Sequence, residues 1–283
     1  MLLETSKTWD DAVQRWLIEK SKKKSLRSDE FTIRWLNQYL SCVPLADINR
    51  GVIANLKTEK IASGVSNATV NRMLALLRSI LRVAASEWDW LPSSPSVKLL
   101  REPSRRIRYL SSAQAIRLLT ELPPHLSAMA AFSLATGLRR SNVTGLTWSQ
   151  IDLKKKLARF DADQMKAGNP QIIPLNPDAM RILLTRKNIH PVFVFTYKGN
   201  RIFQASTAAW YKALRRAGIQ DFRWHDLRHT WASWHVQNGT PLLALQELGG
   251  WESTEMVRKY AHFSVSNLAT YASQLPTFIL HTD

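Results

Sequence analysis

The sequence predicts a mainly α-helical protein of two domains, the second carrying a small antiparallel β-sheet. Three observations lead there. Apolar residues recur at helical spacing through most of the chain, most clearly from Asn67 onward, where Val70, Met73, Leu74, Leu77, Ile80, Leu81 and Ala84 make one stripe. A basic stretch rich in proline and serine, from about residue 92 to 105, breaks that pattern in a chain of 283 residues, which is long enough for two domains. Residues 157–175, LARFDADQMKAGNPQIIPL, lean towards strand at both ends and towards a turn between.

Taken in order, TWDDAVQRWLIEK (8–20) and EFTIRWLNQYLS (30–41) read as helices separated by the basic run KSKKKSLR, a solvated loop that could also meet phosphates. In the helix from Asn67, Ser66 or Asn67 serves as cap and Pro92 as terminator, while Arg72, Arg78 and Arg82 fall off the apolar stripe and stay free for solvent or phosphate. Three prolines and Arg101, Arg105, Arg106 and Arg108 then mark an extended basic linker, with the domain boundary near residue 105. A helix starts at Ser111 or Ser112, another through SAMAAFSLATG stops at Gly137, and a short one follows Arg139. The segments ARF and QIIPL should pair as a hairpin around Ala167-Gly168-Asn169-Pro170, with Lys166 at its rim. From Ser206 the pattern is helical again.

Composition narrows the function. A 45% hydrophobic fraction with 22% charged residues is globular. Against 22 acids stand 39 Lys and Arg, a net charge of +17, which points to a polyanionic partner. The excess is shared: 17 basic against 11 acidic residues up to residue 105, and 22 against 11 beyond it. The lone Cys42 excludes an internal disulfide, no Cys/His group has zinc spacing, and no segment is apolar enough to span a membrane. The N-terminal MLLETSKTWDDAVQRW lacks the apolar run of a signal peptide, so a cytoplasmic protein is expected.

Residues 225–263, HDLRHTWASWHVQNGTPLLALQELGGWESTEMVRKYAHF, carry the densest set of candidate side chains. His225 and Arg228, three apart, share one helical face, yet such a pair alone is more often surface than site. His225 and His229 form a His-x-x-x-His pair, but without a glutamate base or a third ligand it does not make a zinc site. Gly239-Thr240-Pro241 and Gly249-Gly250 could bound the first helix of a helix-turn-helix, which would make the chain a DNA-binding regulator and Tyr260 a core or base-contacting aromatic.

Adding ATGLRRSNVTGLTW (135–148) changes the weight of these signals. The order Arg139, Lys166, His225-x-x-Arg228, Trp251 and Tyr260 resembles the tyrosine recombinase family, the phage and prophage integrases in particular. TGLR, HDLRHT, and LGGW followed by Tyr260 nine residues after Trp251 are specific as a set. The resemblance implies a helical core-binding DNA-binding domain over 1–105, its basic linker from about 92, and a catalytic domain over 106–283, the two holding opposite sides of the duplex.

The implied chemistry fits the residue types. Two guanidinium groups, Arg139 and Arg228, can neutralise charge building on a phosphoryl group without a metal. Tyr260 would be the nucleophile, giving a 3′-phosphotyrosine and a free 5′-hydroxyl. His225 would assist its deprotonation or hydrogen-bond the phosphate, roles the sequence leaves open. By resemblance Lys166 protonates the leaving 5′-oxygen, with Lys154, Lys155 and Lys156 as decoys. Trp251 stands where many relatives have a second histidine and could donate its indole N–H to a phosphate oxygen. Asn142 stands where many have an acid; its amide could still orient a guanidinium by accepting one hydrogen bond.

No cofactor or metal is expected. The implied partners are double-stranded DNA attachment sites, a homotetramer of this chain on DNA, and accessory DNA-bending or directionality factors. A type IB topoisomerase, sharing the arginine, lysine, histidine and tyrosine chemistry, is the rival enzyme. Larger integrases carry an N-terminal arm-binding domain not seen before Thr8, leaving an arm-less recombinase, a truncated remnant or a misplaced start as alternatives.

Overall fold

A computed structural model describes residues 6–103, 107–165 and 168–260. The chain divides into two compact units, Met1–Arg105 and Arg106–Asp283.

The described part of the first unit is helical: α1 (Trp9–Glu19), α2 (Leu26–Leu40), α3 (Arg50–Ala62) and α4 (Asn67–Ser86). Helix α1 opens with a reciprocal cap, Thr8 accepting from the Asp11 amide while Asp11 accepts from the Thr8 amide. The whole predicted stripe of α4 is buried, against Trp9, Trp16, Leu36 and Leu40. Arg72, Arg78 and Arg82 lie on its exposed side.

Helix α4 stops at Ser86, well short of Pro92. The buried Trp88 packs on the core and donates its indole N–H to Glu19 Oε1 at 3.0 Å, and Asp89 after it takes the left-handed region (φ 54°). Burial of a large aromatic ends the helix before the proline can. Nor is the stretch before residue 104 a free linker. The Asn71 side chain donates to Leu100 O and accepts from Leu100 N (2.9 and 2.8 Å), pairing like a strand, and Val97 joins the core.

In the second unit, α5 (Ser112–Glu121) has a Ser111–Gln114 capping box, and α6 (Pro124–Thr136) ends at Gly137. After α7 (Arg140–Thr144) come β1 (Ile151–Asp152), β2 (Leu157–Phe160) and β3 (Gln171–Pro174), an antiparallel sheet in the order β1-β2-β3. The register pairs Ala158 with Ile173 and Phe160 with Gln171, so Ala158, Phe160 and Ile173 face the core while Arg159 and Ile172 face out. The strands expected from 157–175 thus pair, but β2 and β3 are joined through a 3-10 turn at Ala162–Gln164 rather than by a tight turn alone.

Helix α8 (Pro177–Arg186) follows, then a hairpin of β4 (Thr196–Tyr197) and β5 (Asn200–Arg201), both unforeseen. Lys198 and Gly199 (φ 50° and 75°) form its type I′ loop. Last come α9 (Ala208–Arg216), α10 (Asp226–Gln237), α11 (Leu242–Gly249) and the single turn α12 (Glu255–Arg258). Leu227, Thr230, Trp231, Ala232 and Val236 of α10 are all buried, the mark of a central helix. It packs on α6 on one side, and on the other forms a small separate core with Leu245, Trp251, Val257 and Tyr260.

Candidate active site

The site is built on two chain reversals that converge on α10. The first is the end of α6. Gly137 is left-handed (φ 64°), and a Cβ there would run into the Trp231 ring, so glycine is required on two counts. The carbonyl this turn exposes accepts from Arg228 Nη1 at 2.6 Å. The second reversal is Gly249-Gly250 at the end of α11. A Cβ on Gly249 would enter the Trp251 ring, and one on the left-handed Gly250 would meet the Gln171 side chain. Gly249 O accepts from Arg228 Nη2 at 2.6 Å. One planar guanidinium therefore bolts two loops together, a task its fixed fork suits and a lysine could not perform.

Arg228 is only 5% exposed and lies flat against Trp251, its guanidinium carbon 4.1 Å from the ring centroid. Burial, reinforced by the neighbouring Arg139, pushes it down to about 9, which leaves it protonated at neutral pH. Arg139 is lowered by burial too, with Glu252 acting the other way. Its Nη2 makes a long 3.4 Å contact to Gly250 O, and its Nη1 is buried without a partner among the described residues. Two like charges held together by carbonyl oxygens, one with an unused buried donor, form a receptor for an anion.

Tyr260 is 4% exposed, with its ring 5.6 Å from that of Trp251. Its hydroxyl is hydrogen-bonded to His229 Nδ1 at 2.6 Å. Burial pushes the phenol up to about 12, with Arg228 pulling down and Asp226 pushing up. His225 heads α10, its ring 4.9 Å from that of His229. Burial, Arg228, Lys259 and Arg139 lower His225 against the opposing Asp226, so it is neutral at pH 7 and free to give or take one hydrogen bond.

The structure thus brings together Arg139, His225, Arg228, Trp251 and Tyr260; Lys166 lies outside the described residues. The decoys Lys154, Lys155 and Lys156 are exposed between β1 and β2. Asn142 does not orient a guanidinium: its amide donates to Met165 Sδ at 3.1 Å and accepts from Ser141 Oγ at 3.2 Å. Sequence reasoning did not single out two contributors. Gln171 donates to Glu247 O and Leu248 O, both at 3.0 Å, fastening β3 to the end of α11. His229 was weighed only as a metal ligand, though its place four residues after His225 put it on the same face. The helix-turn-helix reading fits poorly, since α12 is one turn and Tyr260 is buried. Among the described residues no group of His, Cys, Asp and Glu is arranged for a metal, and no helix is long and apolar enough to cross a membrane.

Residues 108–266 match the phage integrase family. The integrase of Salmonella phage P22 is 37% identical over 308 aligned positions, covering 95% of this chain and 79% of that protein. The chain belongs to the phage integrase family of tyrosine recombinases. A shufflon-specific DNA recombinase of Escherichia coli is 30% identical over 73% of this chain, an alignment spanning about half (54%) of that protein. The fold is that of a lambda integrase solved as a tetramer bound to a Holliday junction, with a TM-score of 0.76 at 20% identity over 91% of this chain and 78% of that one.

Proposed function

We propose that this tyrosine recombinase cleaves and rejoins DNA at attachment sites of a phage or mobile element through a 3′-phosphotyrosine. The observation that carries the reading is the pairing of half-buried Arg139 with buried Arg228 beside Tyr260, an anion receptor next to a nucleophile. The scissile phosphate accepts hydrogen bonds from Arg139 and from the edge of the Arg228 fork, and charge gathering on its non-bridging oxygens in the transition state strengthens both. Neutral His225, flanked by both arginines, hydrogen-bonds the same phosphate, and Trp251 donates its indole N–H while holding Arg228 in plane.

Tyr260 Oη attacks phosphorus, its proton leaves, and the P–O5′ bond breaks. Lys166 supplies the proton that turns the departing oxygen into a 5′-hydroxyl. The phosphotyrosine ester conserves the bond, so a 5′-hydroxyl of another strand can reverse the attack with no nucleotide cofactor. Both units meet DNA, in line with the basic excess in both halves of the sequence. A homotetramer working in the cytoplasm on two duplexes, with accessory bending or directionality proteins, completes the proposal; the lambda integrase tetramer supports the assembly by likeness of fold.

The test is a nicked suicide substrate carrying the element's junctions, incubated without magnesium and run on a denaturing gel. The wild type should give a protein–DNA adduct that Tyr260→Phe lacks while still binding DNA. Binding without any adduct would sink the reading, and relaxation of plasmid without synapsis of two sites would make the chain a topoisomerase.

A further inference from the structure

We propose that His229, rather than His225, is the group that takes the proton from Tyr260, in a relay running Asp226–His229–Tyr260. The inference rests on Tyr260 being the nucleophile. The geometry separates the two histidines. His229 Nδ1 is 2.6 Å from Tyr260 Oη, a short hydrogen bond. His229 Nε2 lies 4.0 Å from Asp226 Oδ1, three residues earlier on α10. The Asp226 carboxylate is anchored in turn, accepting from the Arg223 amide at 2.7 Å.

The carboxylate favours a proton on Nε2, which leaves Nδ1 as the lone pair facing the phenol. As Oη bonds to phosphorus, its proton passes to Nδ1, the electron pair of the P–O5′ bond goes to the 5′-oxygen, which takes its proton from Lys166, and the imidazolium that forms has Asp226 beside it. When a 5′-hydroxyl attacks the phosphotyrosine, the Nδ1 proton returns to Oη, so the group is reset after each exchange. The attacking hydroxyl returns its proton to Lys166, so atoms and charge balance over the two steps with no further reactant.

Tyr260 needs such an acceptor. Held near 12 by burial, its phenol would be ionised in only about one molecule in 10⁵ at neutral pH. His225 is the poorer acceptor because burial disfavours its charged form and Arg228, Lys259 and Arg139 oppose a further positive charge there, with Asp226 acting the other way. Among the described residues, the titratable and charged groups facing the relay include Asp226 and Arg228 on α10, neutral His225 at its head, Lys259 beside Tyr260, and Arg139 from the α6–α7 turn. Asp226 is the acid among these, and it is the one beside His229 Nε2.

The experiment measures the rate of adduct formation at saturating suicide DNA from about pH 6 to 9 for wild type, His229→Ala and His229→Asn, on ordinary DNA and on DNA with sulfur replacing the bridging 5′-oxygen. Sulfur leaves without a proton, so it rescues defects in leaving-group protonation and spares those in the nucleophile. Both variants should bind DNA as tightly as wild type and form adduct about 10²-fold more slowly. The defect should persist on the sulfur substrate, and the variants' rates should climb with pH where the wild type has levelled off.

The asparagine variant keeps a hydrogen-bonding group near Oη but cannot take a proton at these pH values. Recovery of the rate with asparagine would reduce His229 to a positioning residue and overturn the relay. Rescue by sulfur would move His229 to the leaving group, and a wild-type rate in His229→Ala would overturn the proposal outright. A wild type that forms no adduct would remove the nucleophile reading itself, a separate and distinguishable failure.

Discussion

The arginines of α4 and those around Tyr260 are the same residue used in opposite ways. Arg72, Arg78 and Arg82 project from an exposed helix face, where their charge is screened. Arg228 is buried, oriented by two carbonyls and an aromatic face, and pays for that with a proton held less tightly than in water. The first kind can attract any polyanion. The second has donors fixed in place, an arrangement suited to one anion in one orientation.

The contrast breaks most visibly at Arg228. Arg228→Lys keeps the charge and loses the fork, so adduct formation at saturating DNA should fall by about 10²–10³-fold. A buried carbonyl left without its donor should also lower stability by about 1–3 kcal/mol, read by urea denaturation. An active, stable lysine variant would show that charge alone suffices. Next come the glycines beneath the fork. Gly249→Ala drives a methyl into Trp251 and Gly137→Ala one into Trp231, each expected to destabilise by about 1–3 kcal/mol; unchanged denaturation midpoints would mean the indoles can move aside freely.

The tyrosine offers a spectroscopic check. In a difference titration of wild type against Tyr260→Phe at 295 nm, the missing phenolate absorbance should appear near pH 12 rather than 10. Because the folded protein holds this proton more tightly than the unfolded chain, the residue's stability contribution is complete below about pH 10 and lost as pH rises through 12. The smallest effects belong to α4. Arg72→Ala, Arg78→Ala or Arg82→Ala should each reduce the salt dependence of DNA binding by about one in slope, measured by anisotropy, with stability changed by no more than about 0.5 kcal/mol. A loss of adduct at saturating DNA would place them in catalysis instead.

Legibility followed the same divide between periodic and particular. The α4 stripe and the paired β2 and β3 were readable because burial repeats along the chain at 3.6 or 2 residues. Helix α3 escaped notice because it buries only Ile53 and Leu56, too few to make a stripe. The end of α4 was misplaced because Trp88, not Pro92, terminates it, and a tryptophan carries no stop signal. In the site, Arg139, Arg228, Trp251 and Tyr260 announced themselves through TGLR, HDLRHT and LGGW. The contacts of Asn142 with Met165, Gln171 with Leu248 and His229 with Tyr260 did not, since each joins residues 23 to 77 apart and depends on packing that no local pattern encodes.

Four consecutive residues of α10 each answer to a different part of the chain. Arg228 meets the loops at Gly137 and Gly249, His229 meets Tyr260, Thr230 accepts from the Leu110 amide, and Trp231 fills the space above Gly137. Successive helical residues point about 100° apart, so every side of the helix is committed at one level. A single-codon insertion or deletion upstream in α10 would swing all four contacts away together, even with every side chain preserved. Over evolutionary time this helix can exchange side chains one by one, but it cannot change its length ahead of Arg228, and gain or loss of residues should be confined to connections such as the one between β2 and β3.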